Sequence, residues 1–284
     1  MLSLENWKEQ GEWLTLENGH RVFYTVQGNG PPVLFLHGFP TSSHDYARLP
    51  PLLTGQYQLI LLDFLGYGFS DKPRKHTYSL FEQADIVQAL AAHLGLKKLY
   101  LVSHDMGNSV ALEVLRRGTP VVEKYVMLNG SVLLKYYQPV LSQRVLLHKV
   151  SGPVFSLISG LVPQALFARQ FGTVFAIKPT SEEFKAFRAA IRYNNGHQIH
   201  HKLIQYLQER KTHEHTWLDA LHTHPAPLTV IWGLLDPVAV PRIAQAVLER
   251  RPDARYIPLE KIGHYPQWED PATVAGAIHW AFQQ

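Results

Sequence analysis

One carboxylate in the sequence stands where a turn of the chain would expose it to a reactant. Asp105 follows an apolar run at residues 99–102 that is typical of a buried strand, and helix-forming sequence resumes at residue 108. Ser103 and Gly107 lie on either side of Asp105, and small side chains there permit a tight, strained turn. A carboxylate is ionised at neutral pH and can displace a leaving group from saturated carbon, forming an ester. The pattern therefore predicts a nucleophilic aspartate at residue 105.

Two other loops of the same kind supply an acid and a histidine. Asp236 follows the apolar run at residues 228–232, and His264 follows the strand-like segment 255–259. In doubly wound sheets the functional groups collect beyond the carboxyl ends of the strands, so the three residues are predicted to meet there. His264 would deprotonate the water that cleaves the ester, while Asp236 orients the imidazole.

Each of these residues also has a structural interpretation. An acid after a buried strand commonly caps the next helix, Asp236 before Pro237 is typical of a turn, and His264 could simply hold a loop. Asn129, which follows the preceding strand, offers no charge that could replace Asp236. Because the three loops occur in the chain order nucleophile, acid and histidine, which accompanies an elbow of this kind, we favour the catalytic interpretation.

The surrounding sequence predicts an α/β fold. Strand-like and helical segments alternate up to residue 130 and again from residue 222, which is typical of a mostly parallel, doubly wound sheet covered by helices. From residue 131 to residue 221 the pattern is helical, and we expect this segment to form a cap over the strand ends. The predicted core domain is thus 1–130 with 222–284, and the predicted cap domain is 131–221.

Composition narrows the classes of function. The chain has a formal net charge of +4 with interspersed acids and bases, so we expect no nucleic-acid binding. The absence of cysteine excludes disulfides and thiolate metal sites, and no recognised zinc motif surrounds the histidines, so we predict no metal and no cofactor. The N-terminus lacks the apolar stretch of a signal peptide, and no segment is long enough to span a membrane. We expect a cytoplasmic monomer or homodimer.

The motifs of the chain resemble those of one enzyme family. They are His37-Gly38-Phe39-Pro40, Ser103-His104-Asp105-Met106-Gly107 and the segments 63–73, 233–237 and 263–271. In these segments the chain is similar to α/β-hydrolases of the epoxide hydrolase and haloalkane dehalogenase branch. Within that branch it most resembles the mesoderm-specific transcript protein group, notably in residues 37–43, 63–66, 70–73 and 264–267. The resemblance implies an α/β-hydrolase fold with an inserted helical cap.

The resemblance also implies roles for further residues. Phe39 and Met106 would supply the backbone N–H groups of the oxyanion hole. Dehalogenases of this branch stabilise the leaving halide with N–H groups of tryptophan or asparagine side chains, whereas neither Met106 nor Phe39 has a side chain that donates a hydrogen bond. Epoxide hydrolases instead protonate the ring oxygen with cap tyrosines, and Tyr206 is expected to do so, with Tyr193 as second choice. The alternative is that Tyr206 only packs the cap onto the sheet.

The predicted protein is therefore an epoxide hydrolase that converts small apolar epoxides and water into vicinal diols through an ester of Asp105. A haloalkane dehalogenase or other hydrolase with the same triad is one alternative, and a non-catalytic, ligand-binding member of the fold is another. The second cap tyrosine of epoxide hydrolases has no counterpart in the expected region, which holds His148 and Phe155. Either His148 replaces it, or Tyr206 acts without a direct partner.

Overall fold

A computed structural model describes residues 3–284, within which eight strands form one sheet. The strands are β1 (Gly11–Thr15), β2 (Arg21–Gln27), β3 (Pro32–Leu36), β4 (Gln58–Leu62), β5 (Lys98–Ser103), β6 (Val121–Leu128), β7 (Leu228–Gly233) and β8 (Arg255–Leu259). Their order in space is β1-β2-β4-β3-β5-β6-β7-β8. Only the pairs β1·β2 and β2·β4 are antiparallel, and the pairs from β4 to β8 are parallel. The predicted mostly parallel, doubly wound sheet is confirmed.

Helices cover both faces of this sheet. In chain order they are α1 (Leu4–Glu9), α2 (Pro50–Leu53), α3 (Leu80–His93), α4 (Gly107–Arg117), α5 (Leu141–Leu147), α6 (Ser151–Ile158), α7 (Gln164–Phe171), α8 (Ser181–Arg192), α9 (His200–Leu203), α10 (Tyr206–Thr223), α11 (Pro241–Arg250), α12 (Pro266–Glu269) and α13 (Pro271–Gln283). Side chains of β3 point alternately to the two faces: Leu34 and Leu36 pack in the apolar cluster that includes α3, α4 and α11, whereas Val33 and Phe35 pack in the one that includes α13. A strand buried on both faces explains the continuous apolar runs in the sequence.

The segment between β6 and β7 forms only helices and short 3-10 turns in the described chain. It lies on the core through buried contacts. Trp217 Nε1 of α10 donates to Glu113 Oε2 of α4 at 3.0 Å, and the Phe175 ring stacks on Tyr265 with centroids 4.6 Å apart. The insertion thus joins both the nucleophile helix and the loop after β8. The cap limits 131–221 remain our proposal, and α10 itself continues to Thr223.

No helix within residues 3–284 combines the length and hydropathy that crossing a membrane requires. In the same part of the chain, no group of three or more histidine or acidic side chains is arranged to hold a metal ion.

Candidate active site

Asp105 occupies the turn between β5 and α4 in a left-handed backbone conformation, with φ of 50°. This conformation is uncommon for a residue with a Cβ, and its strain must be held by the surroundings. Asp105 N–H donates to Asn129 O at 2.8 Å. A Cβ at Gly107 would come within 2.5 Å of Leu36 O, and one at Gly130 within 2.8 Å of the Asp105 Cα, so glycine is needed on both sides. The predicted elbow is therefore present, with the carboxylate at its tip.

His264 lies between two carboxylates. Its Nδ1–H donates to Asp236 Oδ2 at 2.6 Å, and its Nε2 lies 3.7 Å from Asp105 Oδ2. All three side chains are buried, with exposed fractions of 3% for Asp105, 3% for Asp236 and 4% for His264. The structure thus brings together the three residues that the sequence predicted, in the loops after β5, β7 and β8.

Hydrogen bonds hold Asp236 as a carboxylate. Its Oδ1 accepts from the N–H groups of Val238 at 2.8 Å and Ala239 at 2.9 Å, and its Oδ2 accepts from Asn129 Nδ2 at 2.8 Å as well as from His264. Burial acts to raise the pKa of Asp236, but the charge of His264 and these hydrogen bonds lower it overall. Asn129 therefore serves the acid as a donor rather than replacing it.

The pKa of His264 reflects the two carboxylates. Burial acts to lower this pKa, but the charge and hydrogen bond of Asp236, followed by the charge of Asp105, raise it to about 9. The neighbouring His104 behaves in the opposite way, because burial and then the charge of His264 lower its pKa to about 3. Neutral His104 uses Nε2–H to donate to the backbone oxygen of His264 at 2.7 Å, which anchors the loop.

One of the two predicted oxyanion donors contacts the nucleophile directly. Phe39 N–H donates to Asp105 Oδ1 at 2.9 Å, and the approach is close enough that a Cβ at Gly38 would lie 2.5 Å from the Asp105 Cβ. Met106 directly precedes α4, where backbone N–H groups point toward the positive end of the helix dipole. Its sulfur accepts a hydrogen bond from Tyr67 Oη at 3.2 Å. Only Oδ2 of Asp105 therefore remains free for attack.

Tyr206 lies beside this site with its hydroxyl unused. The side chain is 3% exposed, and no hydrogen-bond partner for its Oη exists within residues 3–284. Its ring centroid lies 6.1 Å from that of Phe39. Burial and then the charge of Asp105 raise the pKa of Tyr206 well above its usual value, so the phenol keeps its proton. This hydroxyl is therefore free to donate a hydrogen bond to a bound molecule.

Sequence reasoning missed a second tyrosine, Tyr137. Its Oη donates to Gln143 Oε1 at 2.6 Å, and the charge of Asp105 contributes, after burial, to raising its pKa. Tyr137 lies soon after β6, nearer to Asp105 in the chain than the region searched for a second donor. The sequence could have indicated this residue, because Tyr137 lies in the loop after β6, the strand that pairs with β5.

Two other candidates lie elsewhere. His148 is exposed in a separate surface hollow, where its Nδ1 accepts from Ser151 N–H at 3.3 Å, so the structure does not place it to protonate a substrate at Asp105. Phe155 lines the cavity described below. Tyr193 packs on Phe69, with ring centroids 4.9 Å apart, and Lys8 Nζ lies 4.9 Å from its ring centroid. Tyr193 is therefore a packing residue.

Arg210 fixes the cap to the elbow helix. Its guanidinium is fully buried; Nε donates to Ser109 Oγ at 2.8 Å and Nη1 to Ser131 Oγ at 2.6 Å. It lies 5.0 Å from the ring centroid of Tyr206, and its Nη2 has no partner among the residues that the structure describes. No carboxylate in that part of the chain forms an ion pair with it. The positive charge of Arg210 therefore lies over the ring of Tyr206.

A cavity of about 180 Å³ separates the cap from the core. Phe39 and His264 line its core side, and apolar side chains such as Phe155, Phe167 and Phe171 line its cap side. Asp105 and Tyr206 lie just outside this lining, and Phe39 connects the cavity to both of them. The arrangement can bind an apolar molecule next to a nucleophile, a general base and a phenol.

Comparisons with known proteins identify the fold and the family of the chain. A profile of the alpha/beta hydrolase fold matches residues 31–271. A protein named LipZ from Mycobacterium tuberculosis is 38% identical over 282 residues, covering 97% of this chain and 96% of LipZ. The mesoderm-specific transcript homolog protein of Homo sapiens is 38% identical over 286 residues, covering 95% of this chain and 84% of that protein. The crystal structure of haloalkane dehalogenase DbeA from Bradyrhizobium elkani has a TM-score of 0.82 at 24% identity, covering 96% of this chain and 97% of that one.

These matches confirm the resemblance on which the sequence interpretation relied. The profile spans most of the chain, and the two relatives extend over nearly all of it. The likeness to DbeA, at lower identity, shows the same fold. The chain therefore belongs to the α/β-hydrolase family.

Proposed function

We propose that this hydrolase opens epoxides to vicinal diols through an ester of Asp105. The observation that carries the proposal is the unbonded hydroxyl of Tyr206, a buried phenol close to a carboxylate that has one free oxygen. An epoxide needs both groups at once, because its carbon is attacked while its oxygen must receive a proton. Substitution of a halide would make no use of the phenol's proton.

The first step uses the free oxygen of the nucleophile. Asp105 Oδ2 attacks an epoxide carbon, the bond from that carbon to the ring oxygen breaks, and the Tyr206 hydroxyl gives its proton to that oxygen. The products are a hydroxyalkyl ester of Asp105 and a phenolate at Tyr206. Arg210, 5.0 Å from the Tyr206 ring, lies where a positive charge stabilises this phenolate. Tyr137, whose hydroxyl donates to Gln143 Oε1 at 2.6 Å in the absence of substrate, is the second candidate donor to the ring oxygen.

The second step uses His264. Esterification removes the negative charge of Asp105, which is one of the charges that raise the pKa of His264. The pKa of His264 therefore falls, and more of the imidazole is neutral and able to act as a base. His264 takes a proton from water, and the resulting hydroxide attacks the ester carbonyl. Oδ1 receives the developing charge, and the Phe39 N–H that already holds this oxygen stabilises it. The ester bond to the diol then breaks, and the departing oxygen of the diol takes the proton held by His264. The proton on the regenerated Asp105 carboxyl returns to the Tyr206 phenolate, which restores the starting state of the site.

A haloalkane dehalogenase with the same three residues is the alternative function. DbeA is named as one, but a halide ion needs N–H or O–H donors where it departs. The Met106 side chain has no donor, and its sulfur already accepts from Tyr67 Oη. Phe39 is apolar as well. These side chains favour the epoxide over the halide.

The two functions can be separated by their products. The purified chain is incubated with styrene oxide and with 1-bromobutane, and diol and bromide are measured. We expect diol without bromide, and we expect Asp105→Asn to abolish diol formation while His148→Ala, which changes an exposed histidine outside the cavity, retains it. Bromide without diol would assign the chain to the dehalogenases. If neither product forms, the chain is a ligand-binding member of the fold.

A further inference from the structure

The charged residues that line the cavity are all basic. Arg188, Arg192, His197 and His200 belong to the cap side, and His264 belongs to the core side. Among the lining residues within the described chain there is no aspartate or glutamate. Burial lowers the pKa of His197 and that of His200, the latter to about 3, and His264 is paired with Asp236. The uncompensated charge in this largely apolar lining is therefore that of the two arginines.

The two arginines stand together on one helix. They are separated by one helical turn at the end of α8, and Ile191 beside them also lines the cavity. Burial and then the charge of Arg192 lower the pKa of Arg188, which shows that the two guanidinium groups repel each other. Burial followed by the charges of Arg192 and Arg188 also lowers the pKa of His197. The protein keeps like charges close together at this point.

The protein itself does not neutralise these charges. Arg188 donates to neutral oxygens, to Gln164 Oε1 at 3.3 Å and to the backbone oxygen of Val162. Arg192 lines the cavity and is otherwise exposed to solvent, and its guanidinium makes no hydrogen bond or ion pair with any residue from 3 to 284. A planar guanidinium with free donors is suited to a carboxylate, which can accept two of its N–H groups.

The rest of the lining determines what can be attached to such a carboxylate. Phe155, Val162, Phe167 and Phe171 offer hydrocarbon surface near the arginines, and the polar side chains among them, such as Ser159 and Gln170, are uncharged. A flexible hydrocarbon fits these walls, because transfer of its surface from water is favourable. The cavity is therefore suited to an amphiphile with an apolar body and one acidic end.

Resting on the proposed function, we infer that the substrate is an epoxide on an aliphatic chain that ends in a carboxylate, and that Arg192, assisted by Arg188, binds this carboxylate. The reactive end of the chain reaches Asp105 past Phe39 and His264. Arg192 is then a specificity-determining residue that takes no part in bond breaking. A single-charged carboxylate suits a site in which one guanidinium is free and the other is partly engaged.

The first experiment compares matched epoxides. 10,11-Epoxyundecanoate and its methyl ester differ only in the charge at the far end, and diol formation gives kcat/KM for each. We expect the acid to exceed the ester by about tenfold, the contribution of one charge-assisted hydrogen bond. Arg192→Gln should remove this preference and leave the ester within about twofold of its original value. Arg169→Gln, which changes an exposed cap arginine outside the lining, should retain the preference.

A binding measurement separates this inference from the proposed function. Undecanoate has no epoxide, so its affinity, measured by isothermal titration calorimetry, does not depend on turnover. We expect Arg192→Gln to weaken undecanoate binding about tenfold and Arg169→Gln to leave it unchanged. Arg192-dependent binding without any diol formation would support the carboxylate site and contradict epoxide hydrolysis. The inference would be overturned if the acid and the ester gave diol with equal kcat/KM, or if Arg192→Gln did not change the affinity for undecanoate. Diol formation in either case would still support the proposed function.

Discussion

The core side and the cap side of the candidate site differ in how their polar atoms are bonded. On the core side, Asp236 accepts from two backbone N–H groups, from Asn129 and from His264, and the position of His264 is fixed in turn by His104. On the cap side, Tyr206 Oη and Arg210 Nη2 are buried without a partner in the described residues. The hydrogen bonds that position Asp236 and His264 are thus formed before a ligand arrives, whereas Tyr206 Oη and Arg210 Nη2 remain free to bind one. We therefore expect the core side to supply the nucleophile and the base, and the cap side to supply the proton donor and the contacts that select the substrate.

If the core-side network is as tightly coupled as its geometry indicates, stability will depend on the charge of His264. Asp236 and Asp105 outweigh the effect of burial and raise the pKa of His264 from its ordinary value of 6.5 to about 9 in the folded chain. A raised folded-state pKa gives stabilisation that is complete below pH 6.5 and is lost as the pH rises through 9. We expect the free energy of unfolding to fall by about 3 kcal/mol over this range.

Urea denaturation at pH 6 and at pH 10 measures this loss. His264→Gln is the reference variant, because it removes the titrating group and leaves the other ionisable groups in place. The wild-type chain should lose more stability than the variant. Equal losses in the two proteins would show that the titration of His264 does not contribute to stability. That result would contradict the coupling of His264 to the two carboxylates.

Removal of one oxygen tests the cap side. Tyr206→Phe deletes only the hydroxyl, and we expect kcat for epoxides to fall about 100-fold, the usual contribution of a general acid. Because this hydroxyl has no partner, its loss should leave the melting temperature unchanged or raise it. Tyr193→Phe is the matched control, since Tyr193 is a cap tyrosine that packs on Phe69 away from the cavity. Unchanged kcat in Tyr206→Phe would remove this residue from the mechanism.

On the core side, we expect the loss of a hydrogen-bonding side chain to lower stability, unlike the loss of the Tyr206 hydroxyl. Asn129→Ala removes a donor to Asp236 Oδ2, at 2.8 Å, and both hydrogen bonds to the Gly233 backbone, at 2.7 and 3.1 Å. We expect a loss of about 2 kcal/mol of stability, because buried polar groups are left unsatisfied. Thermal unfolding compares this variant with Tyr206→Phe. A stability loss no greater than that of Tyr206→Phe would contradict the difference between the two sides.

The same difference explains how far sequence reasoning reached. The loops of Asp105, Asp236 and His264 could be predicted because each follows a strand whose apolar run is visible locally, and parallel strands bring their carboxyl ends to one edge. Where local rules compete, the prediction was less accurate. The sequence predicts one helix over residues 45–53, but the structure has a 3-10 turn at Ser43–Tyr46 and then α2, because Pro50 and Pro51 lack the N–H groups that a continuous helix would use.

In the cap, the sequence carried less information about position. Asn194 and Asn195 adopt φ of 50° and 60° after α8, and this turn directs the following residues toward the cavity while Tyr193 stays outside it. Helical periodicity does not specify how short helices pack on one another, so Tyr137 was missed and His148 was searched in its place. Tyr206 was identified only through the resemblance to epoxide hydrolases.

The covalent ester at Asp105 is the central claim, and one mass measurement tests it most directly. His264→Ala should still form the ester with styrene oxide but hydrolyse it slowly, so the intact protein should gain the mass of one styrene oxide. Peptide mapping should place this addition on Asp105, and the double variant with Asp105→Asn should gain nothing. A variant that stays unmodified, or that carries the added mass on another residue, would contradict the account.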